Sequence, residues 1–249
     1  MSGTPRVSIV IPAYNEGDAI IPGLERIVET VESDAEVLVV VDAPDDTTVG
    51  PVEHFAREHP AFRVLVNDYG RGPAHAIRYG VDAARARTIV VTMADGCDDP
   101  RQIDDLVLLV ERGVVIAAAS RYMAGGQQVG GPRFKSFLSR LAGTSLQLMT
   151  NAGTRDATNS FKAYDAEFIR AVGIDSRDGF EIGLELTAKA RRLRLPVAEL
   201  PTIWLDRTYG QSNFQLGKWI PKYLRWYRFA FGPRLTLEQL ATKAQRKTA

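Results

Sequence analysis

The sequence predicts a single α/β domain with a mostly parallel, doubly wound sheet flanked by helices. Short runs of apolar, β-branched residues alternate with segments whose apolar positions have helical spacing, and this order repeats through the first half of the chain. The chain has 249 residues, of which 45% are hydrophobic and 24% charged, so it can bury one large core. Neither an internal repeat nor a convincing linker divides it.

The predicted elements follow one another in a regular order. Strands are expected at residues 7–11, 36–41, 63–66, 88–92 and 114–119, and the helices between them at 19–32, 49–58, 74–86 and 102–112. Parallel strands bring their carboxyl ends to one edge of a sheet, so a ligand is expected at the loops after residues 11, 41 and 92.

The pattern changes after Tyr122. A glycine-rich loop at 125–131 is followed by a predicted helix at 135–150 and a polar stretch at 151–159. We expect residues 122–217 to receive a second substrate. The tail after Pro233 is predicted to be frayed.

Composition excludes several classes of function. The chain has 31 basic and 30 acidic residues, so no global field favours nucleic acid. The lone Cys97 excludes an internal disulfide and is typical of a reducing compartment, which predicts a cytoplasmic protein. We expect neither a signal peptide nor a spanning helix, because no run of about eighteen apolar residues occurs.

Polar side chains follow the first two predicted strands. In the run Pro12-Ala-Tyr-Asn-Glu16, the ring of Tyr14 can lie against a nucleobase, and Glu16 can accept hydrogen bonds from it. Val41 and Asp42 end the second strand at the same sheet edge. An ordinary turn is the alternative interpretation, since Pro, Asn and Asp are common turn formers.

Three carboxylates follow the strand at 88–92, in the run Ala94-Asp-Gly-Cys-Asp-Asp-Pro100. A sugar diphosphate leaving group gains negative charge, which Mg²⁺ or Mn²⁺ neutralises through one or two protein carboxylates and the phosphate oxygens. Asp95 is the best-placed ligand. Asp98 and Asp99 can instead cap the next helix, and a cap is the favoured role for Asp99.

Two arginines are candidates for phosphate binding. Arg71 lies in Asn67-Asp-Tyr-Gly-Arg-Gly-Pro73, a glycine-rich approach to a predicted helix whose N–H groups can meet phosphate. Arg121 of Ser120-Arg-Tyr122 follows a strand end, and its guanidinium suits paired oxygens. The alternatives are simple solvent exposure for Arg71 and a surface ion pair for Arg121.

Charged residues of the second half are candidates for the acceptor side. Arg133, Lys135 and Arg140 surround the start of a predicted helix and can gather an anionic acceptor, although a solvated basic face is an equal alternative. Glu181 and Glu185 lie one helical turn apart, so either can act as a base or orient sugar hydroxyls. The alternative is one pocket residue and one solvated residue.

The segment 218–231 interleaves four basic residues with six aromatic residues and Leu224. Such a mixture suits the headgroup boundary of a membrane, where rings lie at the interface and cations meet anionic lipid. We predict an amphipathic interfacial helix within residues 218–249. Docking on the protein's own core and a homodimer contact are the alternatives.

Taken together, the motifs resemble those of family 2 glycosyltransferases, particularly the dolichyl-phosphate mannosyltransferase-like branch. The ordered matches are Pro12–Glu16, Asp42, Asp95, Ser120–Tyr122, Asn159–Lys162, Gly179–Glu181 with Glu185, and Asp206–Ser212. The resemblance implies a GT-A fold over residues 1–217, with a nucleotide-sugar half to about residue 121. It also implies inversion at the anomeric carbon, a metal-bound GDP- or UDP-linked sugar, and a polyprenyl phosphate acceptor at the inner face of a membrane.

By position, the resemblance places the nucleotide on Pro12, Tyr14 and Glu16, and the metal on the loop of Ala94 and Asp95. It implies diphosphate contacts for Arg121 and Arg207. Together with the residue arguments, the expected catalytic set is Asp95, Arg121, Arg207 and Glu185, and the expected acceptor set is Arg133, Lys135, Arg140 and Ser212.

Three positions depart from the family pattern. Ala43 and Met93 stand where the family usually has acidic residues, and Asn213 stands where it often has lysine. Asp98 is our hypothesis for a replacement metal ligand. The competing functions are transfer to a glycan or small-molecule hydroxyl, and nucleotide-sugar binding without catalysis.

Overall fold

The computed structural model describes residues 3–177, 179–206 and 216–245. Its centre is a seven-stranded sheet with the order β3-β2-β1-β4-β7-β5-β8. These strands are β1 (Val7–Pro12), β2 (Ala35–Val41), β3 (Phe62–Val66), β4 (Thr88–Val91), β5 (Ile116–Ser120), β7 (Lys162–Asp165) and β8 (Val197–Pro201). A separate parallel pair is formed by β6 (Gln127–Val129) and β9 (Ile203–Leu205).

Helices cover both faces of the sheet. They are α1 (Ile21–Thr30), α2 (Val49–Glu58), α3 (Pro73–Ala83), α4 (Ile103–Glu111), α5 (Arg133–Thr150), α6 (Ala166–Val172), α7 (Ile182–Leu193), α8 (Leu216–Ala230) and α9 (Leu237–Gln245). A 3-10 turn at Gly17–Ile20 leads into α1. The predicted first helix therefore starts slightly later than expected, with Pro22 in its first turn.

The core has two main layers because the strands are buried on both faces. Ile9 and Ile11 of β1 pack in the layer under α1, α2 and α4. Val10, between them, packs in the layer under α3, α6, α7 and α9. Such burial on both sides is typical of parallel sheets with crossover helices. The predicted α/β fold is confirmed.

The order of strands contains one feature that the sequence pattern did not predict. β7 lies between β4 and β5 and runs antiparallel to both. Its residues come from the half of the chain expected to receive the second substrate. The two halves therefore share one sheet.

The segment predicted as an amphipathic interfacial helix contains most of α8, which packs on α7 and α5. Trp226 and Ala230 are buried against Leu184 and Ala188. Docking on the core thus accounts for one face of this helix. Within the described ranges, every helix is too short or too polar to cross a bilayer.

The tail after Pro233 is not frayed along its described length, so that prediction was wrong there. Residues 237–245 form α9, and Leu235 and Leu240 are buried in the core layer under α6 and α7. Leu240 in α9 and Leu235 just before it give this short helix an apolar contact with the core. The polar residues around them hid this contact in the sequence.

Candidate active site

The loop after β1 presents an aromatic ring to solvent. The side chain of Tyr14 is 63% exposed, which leaves its face accessible to a planar ligand. The backbone N–H of Asn15 donates to both carboxylate oxygens of Asp46, at 3.1 and 3.0 Å. The N–H of Glu16 donates to the hydroxyl of Thr48 at 3.1 Å. The loop is therefore held from the segment that precedes α2.

Sequence reasoning missed Asp46. This side chain is 7% exposed and also accepts a hydrogen bond from the backbone N–H of Thr48 at 2.8 Å. Its sequence signal is the run Asp46-Thr-Thr48 immediately before a helix, which is typical of a capping turn. The structure shows that the same carboxylate joins two loops at the sheet edge.

Asp42 organises the neighbouring loop. One of its oxygens accepts a hydrogen bond from the Asn67 side chain at 2.6 Å, and the other accepts one from the N–H of Gly72 at 2.7 Å. Gly72 has φ of 109°, a conformation that favours glycine, directly before α3. Arg71 is exposed beside it. The side chain of Val41 lies in the core, so only its backbone faces this loop.

The loop after β4 carries Asp95, whose carboxylate accepts a hydrogen bond from the N–H of Cys97 at 3.2 Å. Ala94 is buried at the base of the loop. Asp99 accepts a hydrogen bond from the N–H of Arg101 at 3.2 Å, which confirms its expected capping role.

Asp98, our hypothesis for a replacement metal ligand, is buried and turns one carboxylate oxygen back into the protein. One of its oxygens accepts hydrogen bonds from the hydroxyl of Thr92 at 2.9 Å and the N–H of Met93 at 3.2 Å. Burial, and then the charge of Asp95, raises the pKa of Asp98 to about 6. Asp98 braces the loop on its inner side.

A hard divalent cation fits this loop when a diphosphate supplies most of its ligands. The residues that the structure describes contain no group of three or more His, Cys, Asp or Glu able to hold a metal. Mg²⁺ and Mn²⁺ sites of nucleotide enzymes commonly use one or two carboxylates and complete their shell with phosphate oxygens and water. The carboxylate of Asp95 suits that role.

Arg121, after β5, is held by a buried ion pair rather than a surface one. Its Nε and Nη2 donate to the two oxygens of Asp156 at 2.7 and 2.9 Å, and its backbone N–H donates at 3.0 Å. Burial opposes its charge, but Asp156 raises the pKa of Arg121 above the ordinary value. The guanidinium also lies 4.9 Å from the ring centre of Tyr122. Arg121 is thus fixed in position as a cation.

Lys162 supports the loop that carries Asp156. Its amine is fully buried and donates to the backbone carbonyls of Asp156 at 3.1 Å, of Ala157 at 3.3 Å and of Asn159. Burial lowers the pKa of Lys162 to about 7, although Asp156 opposes the shift. Sequence reasoning had placed Asn159–Lys162 in a motif without giving Lys162 this role.

Glu185, a catalytic candidate from the sequence, lies inside the fold rather than at an accessible surface. It is 0% exposed, and its oxygens accept hydrogen bonds from the N–H groups of Asp175 at 2.6 Å and Ser176 at 2.8 Å. Lys189, one turn later, forms an ion pair with it at 2.6 Å. Glu181 is buried as well, at 3% exposed. The alternative of one pocket residue and one solvated residue is wrong, because both glutamates are buried.

The structure describes the acceptor candidates and the remaining predicted residues to different extents. Arg140 lies exposed on α5. Arg133 and Lys135 lie in the first turn of the same helix, but their side chains fall outside the description. Arg207, Ser212 and Asn213 lie outside the described residues.

Sheet topology explains why the remaining candidates converge. β2, β1 and β4 are parallel neighbours, so the loops of Asp42, Tyr14 and Asp95 leave the same edge. β7 is antiparallel to both β4 and β5, which makes β5 parallel to β4 and brings Arg121 to that edge too. Pro12 closes β1 at this edge. The loops of Tyr14, Asp42, Asp95 and Arg121 therefore all leave one edge of the sheet.

This combination defines a class of protein. A parallel sheet places an exposed ring, a carboxylate loop suited to a divalent cation and a fixed arginine at one carboxyl edge, which is the arrangement of a GT-A glycosyltransferase. The model of the family described as "Glycosyl transferase family 2" matches residues 8–173, more than half of the chain. The chain belongs to glycosyltransferase family 2.

Named relatives fall in the same family. The chain is 28% identical to the undecaprenyl-phosphate mannosyltransferase of Micrococcus luteus, over 89% of this chain and 93% of that protein. It is also 28% identical to the polyprenol monophosphomannose synthase of Mycolicibacterium smegmatis, over 84% of this chain and 81% of that protein.

A solved structure shows the same fold. The mannosyltransferase PcManGT from Pyrobaculum calidifontis, in complex with GDP-Man and Mn²⁺, matches with a TM-score of 0.63 and 19% identity. The match covers 98% of this chain and 70% of that chain. The predicted fold and family are therefore both confirmed.

Proposed function

We propose that this protein transfers a hexose from a GDP- or UDP-linked sugar to a polyprenyl phosphate, with inversion at the anomeric carbon. Two relatives whose names state a polyprenyl phosphate product or substrate support the acceptor. The solved complex with GDP-Man and Mn²⁺ supports a nucleotide sugar and a divalent cation, either Mn²⁺ or Mg²⁺.

The observation that carries the proposal is the position of α5. On its inner side, Ser139 accepts a hydrogen bond from Arg121 at 3.4 Å, and the carbonyl of Ser136 accepts one from Tyr122 at 3.4 Å. On its outer side, Phe134 and Phe137 are 66% and 60% exposed. Helix α5 contacts Arg121, the candidate for binding the diphosphate, and therefore offers an apolar surface suited to a lipid acceptor beside it.

In the proposed reaction, an acceptor phosphate oxygen attacks the anomeric carbon while the bond from that carbon to the diphosphate oxygen breaks, and the nucleoside diphosphate leaves with the electron pair. A phosphate acceptor is already an anion, so no strong base is required. This agrees with Glu185, whose oxygens are both engaged. A hydroxyl acceptor would need a general base.

The protein's own residues bind and orient the reactants. Tyr14 stacks on the nucleobase, and Asp42 holds the adjoining loop. Arg121 meets the diphosphate in a fixed orientation. A divalent cation held by Asp95 would neutralise the charge that develops on the leaving group. Arg207 and Ser212 remain proposed contacts to the diphosphate and the acceptor.

The test is a panel of GDP- and UDP-linked sugars combined with a short-chain polyprenyl phosphate, a polyprenol and soluble glycans, with product masses recorded. We expect a glycosyl polyprenyl phosphate from one donor, and loss of product in Asp95→Asn. Transfer only to hydroxyl acceptors would overturn the acceptor assignment. Thermal stabilisation by nucleotide and Mn²⁺ without any transfer would indicate a binding module.

We further propose that the protein associates peripherally with the cytoplasmic, inner face of a membrane. The support is an exposed surface that combines apolar and basic side chains and lacks acidic ones, because α5 and α8 contain neither Asp nor Glu. We call this surface the α5–α8 face. Its exposed described members include Phe134, Phe137, Arg140, Leu141, Leu148, Ile220, Leu224, Arg225 and Arg228.

Vesicle flotation tests this association. We expect binding to vesicles that contain anionic lipid, and roughly tenfold or greater loss in the triple variant Phe134→Ser, Phe137→Ser, Leu141→Ser. The control is Val28→Ser with Leu108→Ser, which removes exposed apolar groups from α1 and α4. If the triple variant only converts a dimer to a monomer and no vesicle binding occurs, the surface is a homodimer contact instead.

A further inference from the structure

Arg26 of α1 reaches across to the loop that carries Asp95. Its Nη1 donates to the carbonyl oxygen of Gly96 at 3.1 Å, and its Nη2 donates to the carbonyl oxygen of Asp98 at 3.5 Å. An ion pair to Asp99 is longer, at 3.9 Å, and Asp99 is held more closely by Arg101 at 2.6 Å. The main partners of Arg26 are therefore the loop carbonyls on either side of Cys97.

The space beneath this loop explains why such contacts matter. A cavity of about 20 Å³ lies between α1 and the loop, lined by Leu24, Ile27, Ala94 and Gly96 among others. The hydrogen bonds from Arg26 therefore supplement the apolar packing between α1 and the loop. Gly96 has φ of 68°, a conformation that favours glycine and gives the loop no side chain to anchor it. Polar contacts brace the loop from Asp98 on its inner side and from Arg26 on its outer side.

Met93 stands where the family usually has an acidic residue, so this loop offers the cation one carboxylate fewer. The position of Asp95 therefore matters more. A cation of the Mg²⁺ type demands near-octahedral ligands at short distances, so a displaced single carboxylate weakens binding. We propose that Arg26 is a positioning residue that sets the orientation of Asp95 toward the divalent cation of the sugar donor. This inference rests on the proposed function.

The same side chain couples two parts of the site. The loop of Tyr14 continues through the 3-10 turn Gly17–Ile20 directly into α1. Arg26 therefore ties the helix that follows the nucleobase loop to the cation loop.

The test measures Mn²⁺ binding directly, by electron paramagnetic resonance of free Mn²⁺ in the presence of GDP and, separately, UDP. For Arg26→Met, which keeps the length of the stem, we expect roughly three- to tenfold weaker binding, as the loss of one or two exposed hydrogen bonds predicts. The matched control is Arg57→Met, on the exposed surface of α2. Arg26→Lys should recover part of the affinity.

Activity and stability complete the experiment. In Arg26→Met, the Mn²⁺ concentration for half-maximal transfer should rise by the same factor, kcat at saturating Mn²⁺ should stay within about twofold, and Tm should match the control. Equal Mn²⁺ affinity in wild type and Arg26→Met would overturn the inference, as would a matching loss in Arg57→Met or no nucleotide-dependent Mn²⁺ binding in the wild type. A wild type that binds Mn²⁺ but transfers no sugar overturns only the proposed function.

Discussion

At the scale of single residues, four aspartates hold the loops of the candidate site, three of them buried and Asp42 half-buried. Each accepts a hydrogen bond from a backbone N–H group of a loop at the sheet edge, which would otherwise lack a partner in the fold. The four pairs are Asp42 with Gly72, Asp46 with Asn15, Asp98 with Met93 and Asp156 with Arg121. The loops are therefore positioned by carboxylates that need not touch substrate.

Asp46→Ala should weaken nucleotide binding without removing any proposed ligand contact. The N–H groups of Asn15 and Thr48 lose their acceptor, which costs about 1–3 kcal/mol of stability and frees the Tyr14 loop. We expect roughly tenfold weaker nucleoside diphosphate binding by calorimetry. The neighbouring Asp45→Ala removes an exposed carboxylate and should change neither quantity. Equal affinity in the two variants would contradict this role.

Lys162→Met should change how stability depends on pH. Its pKa is lowered from 10.5 to about 7, so between these values the unfolded chain binds more protons at this site than the folded protein. This group therefore makes the wild type more stable as pH rises from 7 toward 10.5, and its contribution is flat below pH 7. Urea unfolding of both proteins at pH 7 to 10 checks this.

We expect the stability advantage of the wild type over Lys162→Met to grow across that range. At pH 7 the variant should already be less stable by about 1–3 kcal/mol, because three buried carbonyls lose their donor. A difference that stays constant with pH would show that Lys162 is charged in the folded protein throughout the range.

At the scale of elements, α3 lies unusually close to the sheet. A Cβ at Gly80 would collide with the side chains of Val10 on β1 and Val40 on β2. The small residue allows the helix to approach two central strands, and the loop of Asp42 and Gly72 enters this same helix. The position of α3 consequently affects the geometry of the nucleobase side.

Gly80→Ala should destabilise the protein by about 1–3 kcal/mol, because the helix must move away from β1 and β2. Gly23→Ala is the matched control, since Gly23 lies on α1 with no heavy atom within 4 Å of an added Cβ. The control should gain up to about 1 kcal/mol through helix propensity. Chemical denaturation measures both. A neutral Gly80→Ala would show that α3 shifts at no cost.

The helices α5 and α8 each pack against the protein on one side and expose apolar residues on the other. α5 contacts Arg121 and Tyr122 on one side and exposes apolar residues on the other. α8 buries Trp226 against α7 while Ile220 and Leu224 stay exposed. Removal of α8 would uncover a core surface, so point variants on its outer side are the suitable probes of membrane binding.

At the scale of the whole molecule, the central sheet joins both halves of the chain. β7 supplies the hydrogen-bonded connection between β4 and β5, and it carries Lys162 at its start. A fragment that ends near residue 121 would leave the edges of β4 and β5 without their partner. The nucleotide side and the acceptor side should therefore not fold separately.

We accordingly expect one cooperative unfolding transition. The three tryptophans, Trp204, Trp219 and Trp226, all lie in the second half, whereas far-UV circular dichroism reports on the entire chain. Their urea transitions should coincide in midpoint and slope, as two-state unfolding requires. A fluorescence transition that clearly precedes the dichroism transition would mean that the C-terminal region unfolds independently.

The sequence alone determined the alternating strands and helices of the first half, the family, and the candidates Tyr14, Asp42, Asp95 and Arg121. These followed from local periodicity and from polar residues at strand ends. Only the tertiary structure decided how the carboxylates of one loop are engaged, because Asp98 turns back to Thr92 and Met93 while Asp95 accepts a hydrogen bond from the N–H of Cys97. Contacts distant in sequence, such as Arg121 with Asp156, β7 with β4 and the burial of Glu185, depend on packing that no local pattern encodes.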